Sequence, residues 1–391
     1  MRARGRSIGA GLAGITIIAT MLAACSSGSS GSSSAASQDT GAAAASTAPA
    51  SAAAASGAAA GGCVSKMAST VSSATAVPAF SMPGDVSAAP LKGKLVVAVA
   101  EDESIPDDVT WISGLNQAAP LIGAHIQVIN GQGTTTGETA AIQQAISLHP
   151  AAILIWGITE TSVSGAISAL KASGLPWDNV YDNTGNGKYI ISINWVDVGK
   201  LEADYVLSQT NCKPDSVVFT SSVFTTSIVP EVTAYQQEIA AQCPSCKTTV
   251  INLDPTTIAT DIQPDTVAAV HRDPNVNYFL AGYDGEASYI IAGLQQVGKK
   301  IPVIGNTGTS VNVTNVASGT PQTADVEHVP VPELAFMSFD DVLRQLAHLP
   351  AAAQWYPLPN ILITPANVTA AQAHLSSTAY EADFKTIWGL G

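Results

Sequence analysis

Five carboxylates fall within eight residues, at Glu101-Asp102-Glu103 and Asp107-Asp108. Such a run offers oxygen ligands to Ca²⁺ or a partner to an amine-bearing solute. The spacing does not follow D-x-[DN]-x-[DN]-G, which favours a plainer reading: one aspartate caps a helix and the others are solvated. Gly131, Gly133 and Gly137 follow a strand-like run in "INGQGTTTGETA". Their G-x-G-x-x-x-G spacing, after the second strand and with no strand-end acid behind it, does not fit a dinucleotide loop. Cys243-Pro-Ser-Cys246 is a C-x-x-C pair without the second pair that zinc would need. It also follows a helix, where a redox pair would open one. No G-x-S-x-G elbow stands between a predicted strand and a helix, and H-E-x-x-H and P-loop patterns are absent from the sequence. The residues therefore assign no catalysis, no cofactor and no metal.

The remaining candidates are polar and aromatic groups at the ends of predicted strands. From Lys94 onward, β-rich runs alternate with stretches of helical periodicity. "KLVVAVA" (94–100), "AHIQVIN" (124–130), "AAILIWG" (151–157) and "NVYDN" (179–183) form a first series. "YIISIN", "SVVFTS", "KTTVINL", "NYFLAGYD" and "IPVIGN" form a second after a turn at Gly185 and Gly187. Repeated β-α-β units predict parallel sheets covered on both faces, and the length suits two doubly wound domains better than one. Such sheets bind ligands at the carboxyl ends of their strands. Those ends carry Gln132, Trp156, Thr159, Asp182-Asn183, Tyr283-Asp284 and Asn306-Thr307. Trp111, Trp156, Trp195 and Phe224 are placed to stack on a sugar face or to fill the core.

Four segments in order resemble the type 1 solute-binding proteins of ABC importers, the ribose-binding kind that shares its fold with lactose-repressor effector domains. They are "GLPWDNVYDN" (174–183), "ISINWVDVGKLEADYVLSQ" (191–209), "AGYDGEASYIIAGLQQVGKKIPVIGNTG" (281–308) and "NILITPANV" (360–368). The resemblance implies two Rossmann-like α/β lobes joined by a hinge that the chain crosses three times. Lobe one would span 94–192 plus 325–353, and lobe two 193–324 plus 354–391, with 63–93 as an N-terminal extension. It implies capture of a small polar solute, a sugar or polyol, between the lobes, and delivery to an ABC permease by a monomer that is not an enzyme. By the same resemblance, Asp182 falls on an aspartate that bonds sugar hydroxyls, and Asn183 takes the place of an arginine. Asn194 matches a crossover asparagine, and Tyr283 and Asp284 fall on the family's N-D. Asn306 and Thr307 replace the aromatic and aspartate of G-F-D-G. His328 sits where a hinge glutamine touches ligand, and Gln132 matches a loop glutamine. The stacking N-P-F-F loop is replaced by Asp107-Asp108, with Trp111 three residues on. No arginine stands at the aligned positions, which disfavours anionic solutes. An extracytoplasmic Rossmann-like enzyme and a receptor feeding a membrane sensor are the alternatives.

The N-terminus supplies the address. Arg2, Arg4 and Arg6 precede an apolar run, and Leu22-Ala23-Ala24-Cys25 resembles the bacterial lipobox. That resemblance implies a signal peptide over 1–24 and lipidation of Cys25. Acyl chains at ~0.8 kcal/mol per buried methylene would then hold the protein on the outer face of the cell membrane. Residues 25–62 are almost wholly Ser, Ala and Gly and predict a disordered tether. Losing 1–24 removes three arginines and no acid, taking the net charge from −14 to −17. Nucleic acid is a poor partner for such a chain. Cys63, Cys212, Cys243 and Cys246 form an even set, predicting one or two disulfides of undetermined pairing.

Overall fold

The computed structural model describes residues 50–78, 81–182, 189–222, 227–254, 257–307 and 310–391, the side chains of 50–61 excepted. Cys25, Asn183 and Phe224 lie outside these residues.

The first sheet contains β1 (Leu95–Ala100), β2 (His125–Asn130), β3 (Ala152–Trp156) and β4 (Trp177–Val180), all parallel in the order β2-β1-β3-β4. Side chains alternate across it, so each face has its own core. Val97, Val99, Ile153 and Ile155 pack under α3 (Thr135–Ser147) and α4 (Ser164–Ser173). Val96, Ala98 and Leu154 face α2 (Pro106–Ile122). "YIISIN" does not become a strand: only an isolated bridge joins Val180 to Ile191.

The chain then crosses into α5 (Trp195–Gln209) and a second sheet. β5 (Asp215–Thr220), β6 (Lys247–Asn252), β7 (Tyr278–Leu280), β8 (Val303–Asn306), β9 (Gln322–Glu327) and β10 (Ile361–Ile363) pair in the order β10-β9-β8-β7-β5-β6. Only β10, which pairs with β9, is antiparallel. α6 (Ile228–Gln242) lies beside α5, while α7 (Ile258–Arg272) and α8 (Asp284–Gln296) cover Val217, Phe219 and Phe279 on the other face. α9 (Ser310–Ser318) and α11 (Val368–Leu375) close the β10 edge.

After β9 the chain returns as α10 (Val331–Leu346), which packs on α2 of the first sheet. Residues 325–327 are thus still in the second sheet, so the second crossing falls at His328, three residues later than the resemblance implies. The final helix, α12 (Ala379–Ile387), also departs from the expected division. It packs on α10, where the Phe336 and Trp388 rings stack at 5.8 Å and Trp388 Nε1 donates to Asp340 at 2.9 Å. The first and third crossings lie side by side: Ser192 N donates to Trp355 O, and Leu358 N to Ser192 O.

The N-terminal extension is a clasp. α1 runs Ala50–Ala74, so the helix starts well inside the expected tether, as alanine's helix propensity allows. It packs on α5 and is joined there by a Cys63–Cys212 disulfide. Asn367 Nδ2 donates to Thr75 O on the second lobe, and Arg344 donates to Gly84 O on the first. Val86 N then bonds Ile387 O at 2.8 Å. Cys243 and Cys246 form the second disulfide. No helix among the described residues is long and apolar enough to cross a membrane.

Candidate functional site

The carboxyl ends of β1, β3 and β4 face those of β5, β7 and β8 across a cavity of about 100 Å³. The first lobe supplies Glu101, Asp107, Trp156 and Tyr181; the second supplies Ser227, Tyr283, Asn306 and Thr307; Trp195 closes the hinge side. Gly157 is required beneath it. Its φ of +73° is left-handed, and a Cβ there would lie 2.7 Å from Glu101 Oε2.

The first-lobe wall is built from rings. Trp156 lies 5.4 Å from Trp111 and 4.9 Å from Tyr181, whose ring in turn lies 5.8 Å from Trp195. Tyr181 holds a φ of +70°, a strained conformation for a bulky residue that persists only where its surroundings over-determine it. Here three neighbouring rings and a hydrogen bond between its hydroxyl and His328 Nε2 fix it.

The second-lobe wall is a buried polar network. Asn306 Nδ2 donates to Glu202 Oε1 at 3.2 Å, to Glu231 Oε1 at 3.1 Å and to the Gly282 carbonyl. Gly282 N donates to Glu286 Oε2 at 2.7 Å. All three glutamates are fully buried. Burial, the dominant cause in each case, raises their pKa values, that of Glu286 to about 8. Uncharged carboxyls are therefore favoured there, and they can share hydrogen bonds without mutual repulsion. Half-buried Asp107 lines the cavity from the first lobe as Thr307 does from the second, and desolvation pushes its carboxyl up to about 7. Thr307 sits at φ +67°, held by its N–H to Val326 O.

The match to known proteins decides what this cleft belongs to. The family described as periplasmic binding protein domain matches residues 101–345. This chain belongs to that family. No curated protein matches it. Among solved structures, an ABC sugar transporter subunit from Rhodobacter sphaeroides 2.4.1 is 19% identical, covering 71% of this chain and 100% of its own, with a TM-score of 0.63. An ABC transporter solute-binding protein from Agrobacterium vitis with bound allitol is 19% identical over 72% of this chain and 98% of its own, at TM-score 0.63. The 5-methylthioribose transporter solute-binding protein from Thermotoga lettingae TMO is 16% identical over 77% and 100%, at TM-score 0.64.

Within this periplasmic binding protein, the residues picked out by sequence divide into three groups. Trp156, Tyr283, Asn306 and Thr307 line the cavity. Trp111 and His328 stand one ring behind it; burial drives the His328 imidazole down to about 3, so it is neutral at physiological pH. Asp284, at the start of α8, is buried beneath the wall and accepts from Gln322 Nε2. The others lie outside this lining. Asp182 Oδ2 accepts from Glu160 N at 2.5 Å, fixing the turn after β3. Asn194 caps α5 through Val196 N at 3.1 Å. Gln132 is exposed in a turn at φ +63°.

Tyr181 was not legible as a cleft residue. Its one signal is an aromatic placed directly before Asp182 at a strand end. Asp107 and Asp108 do not cap α2, whose start carries no side-chain cap bond. Asp108 is instead buried, accepts from Asp102 N at 3.0 Å and is pushed up to about 8 by desolvation.

Proposed function

We propose that this protein captures a small uncharged polar solute, a sugar or polyol, between its lobes and passes it to an ABC permease. The observation that carries the reading is the composition of the cleft: four aromatic rings beside hydrogen-bonding carboxyl, amide and hydroxyl groups, with no cationic side chain among the described lining residues. Rings bury the C–H faces of a sugar, and carboxyls and amides take its hydroxyls, each bond contributing roughly 0.5–1.5 kcal/mol net. An anion would meet Glu101 and Asp107 with no compensating cation. The bound allitol of the Agrobacterium relative and the 5-methylthioribose of the Thermotoga relative are compatible chemistries. Lipidation at Cys25 would hold the receptor on the extracytoplasmic face of the membrane, where a permease could meet it.

The test is a thermal-shift and calorimetric screen against sugars, polyols and nucleosides. A true ligand stabilises by RT ln(1 + [L]/Kd), about 2.7 kcal/mol at a hundredfold excess over Kd, and is recovered unchanged. A screen in which nothing binds, or in which a substrate is consumed, refutes the reading.

A further inference from the structure

A second and larger cavity, about 780 Å³, lies between the lobes on the other side of Asp107. The two compartments share Asp107, and the consecutive residues Tyr283 and Asp284 face one compartment each. Asp107 and the Tyr283–Asp284 step therefore mark the boundary between them. Small-molecule pockets commonly measure about 300–1,000 Å³, a range the second cavity meets and the first does not.

Most of its lining area is apolar and is drawn from both lobes, although polar residues such as Asp107, Asp284, Ser288, Asn312 and Gln372 share it. Val329 precedes α10 and Val331 and Pro332 begin it, while Val311, Val313 and Leu375 come from α9 and α11. Val311 is 60% exposed, a large apolar side chain left without a partner at the rim. Among the described lining residues there is no Lys, Arg or His. One buried polar group is unsatisfied. Glu327 is 1% exposed; its Oε2 accepts from His328 N at 3.4 Å, while Oε1 has no partner. An unmet buried polar atom is costly, so a ligand atom that bonds it gains correspondingly.

We propose that the solute is a polyhydroxylated head bearing an uncharged apolar substituent, an alkyl or aryl glycoside, whose substituent fills this second cavity with its linking oxygen at Glu327. The inference rests on the sugar-or-polyol reading above. Desolvation raises the Glu327 carboxyl, favouring its neutral form, which can donate to an ether oxygen. The head would lie against Trp156 and Tyr181, with the link passing Asp107.

The test is calorimetry on the full chain with glucose, galactose, ribose and arabinose, each paired with its phenyl glycoside. Burying a phenyl ring should tighten binding by about tenfold or more over the matched free sugar. Val311→Asp, at an exposed position that leaves the core intact, should abolish that increment without changing the affinity for the free sugar. Equal or weaker binding of every glycoside, with the free sugar still bound, overturns this inference and leaves the solute-capture reading standing. An increment that survives Val311→Asp overturns the placement in this cavity. If neither member of any pair binds, both readings fall.

Discussion

Asp107 predicts that solute affinity rises as pH falls. The carboxyl belongs to the first lobe, and part of what desolvates it, Thr307 and Tyr283, belongs to the second. Opening the cleft re-exposes it, returning its pKa from about 7 towards the usual ~3.9. The closed form therefore binds a proton more tightly than the open form. By linkage, closure is favoured below the closed-state value and loses that advantage as pH rises through it. With those two values, closure at pH 5 is roughly 80-fold more favourable than at pH 8, an upper bound of about 2.6 kcal/mol. A solute hydroxyl donating to the carboxylate would reduce the ratio. The charged and titratable neighbours are Asp108, Asp325, Glu327, Tyr181 and Tyr283. Asp108 and Asp325 are buried within their own lobes, so their titration contributes mainly to folding. The assay is calorimetric affinity for the best solute of the screen, measured from pH 5 to pH 8.5 in wild type and Asp107→Asn. The wild-type curve should fall with pH, and the variant's should be flat or much shallower. A variant that keeps the wild-type slope, or an affinity that rises with pH, refutes the argument.

Trp156→Ala should abolish solute binding and cost about 3–5 kcal/mol of stability, read by denaturant titration, because a nearly buried ring is removed from between Trp111 and Tyr181. Stability itself should decline as pH rises. Burial lifts Asp178, Glu286, Asp325 and Glu333 to about 8 each, so the stability they carry is complete below the unfolded carboxylate range and is lost as pH climbs towards 8. Calorimetry should give a higher Tm at pH 5 than at pH 8.5. Replacing Cys63 and Cys212 together by Ser opens a loop with a sequence separation of 149, worth about 5 kcal/mol in the chain-entropy account. Cys243 and Cys246 are 3 apart, and the same account gives their removal only on the order of 1–2 kcal/mol.

The lobes were readable because strand periodicity and helical periodicity survive in almost every segment, and because buried parallel strands such as "AAILIWG" are apolar throughout. The site was readable only in part. Trp156 and Asn306-Thr307 end strands, and strand ends are where a parallel sheet presents its ligand groups. Asp182 ends one too, but its carboxylate turns back to the Glu160 amide. Nothing in the residue type distinguishes those two outcomes. Asp107 looked like a helix cap because helix starts favour aspartate. Part of its desolvation comes from Tyr283 and Thr307 of the opposite lobe, far away in sequence, and local pattern carries no trace of that. The clasp was equally hidden: hydrogen bonds from Arg344 and Asn367 to an arm near residue 80 follow from tertiary packing alone.

The two walls of the cleft are stiffened by different forces, and this bears on how recognition works. Ring packing around Trp156 holds the first wall. It is non-directional and indifferent to pH, and it withstands small shifts because each contact is individually weak. The second wall depends on Asn306, whose single amide group ties the end of β8 to α5, α6 and the β7 turn through Glu202, Glu231 and the Gly282 carbonyl. Those bonds are directional, fully desolvated and dependent on the protonation of neighbouring glutamates. A network of that kind is stable when its members are satisfied and costly when one is lost. On the proposed reading, the cleft sets an apolar surface that selects for shape against a polar one that selects for hydrogen-bond pattern. If both walls keep this packing when the cleft is open, more of the solute's contact energy is left to drive closure itself.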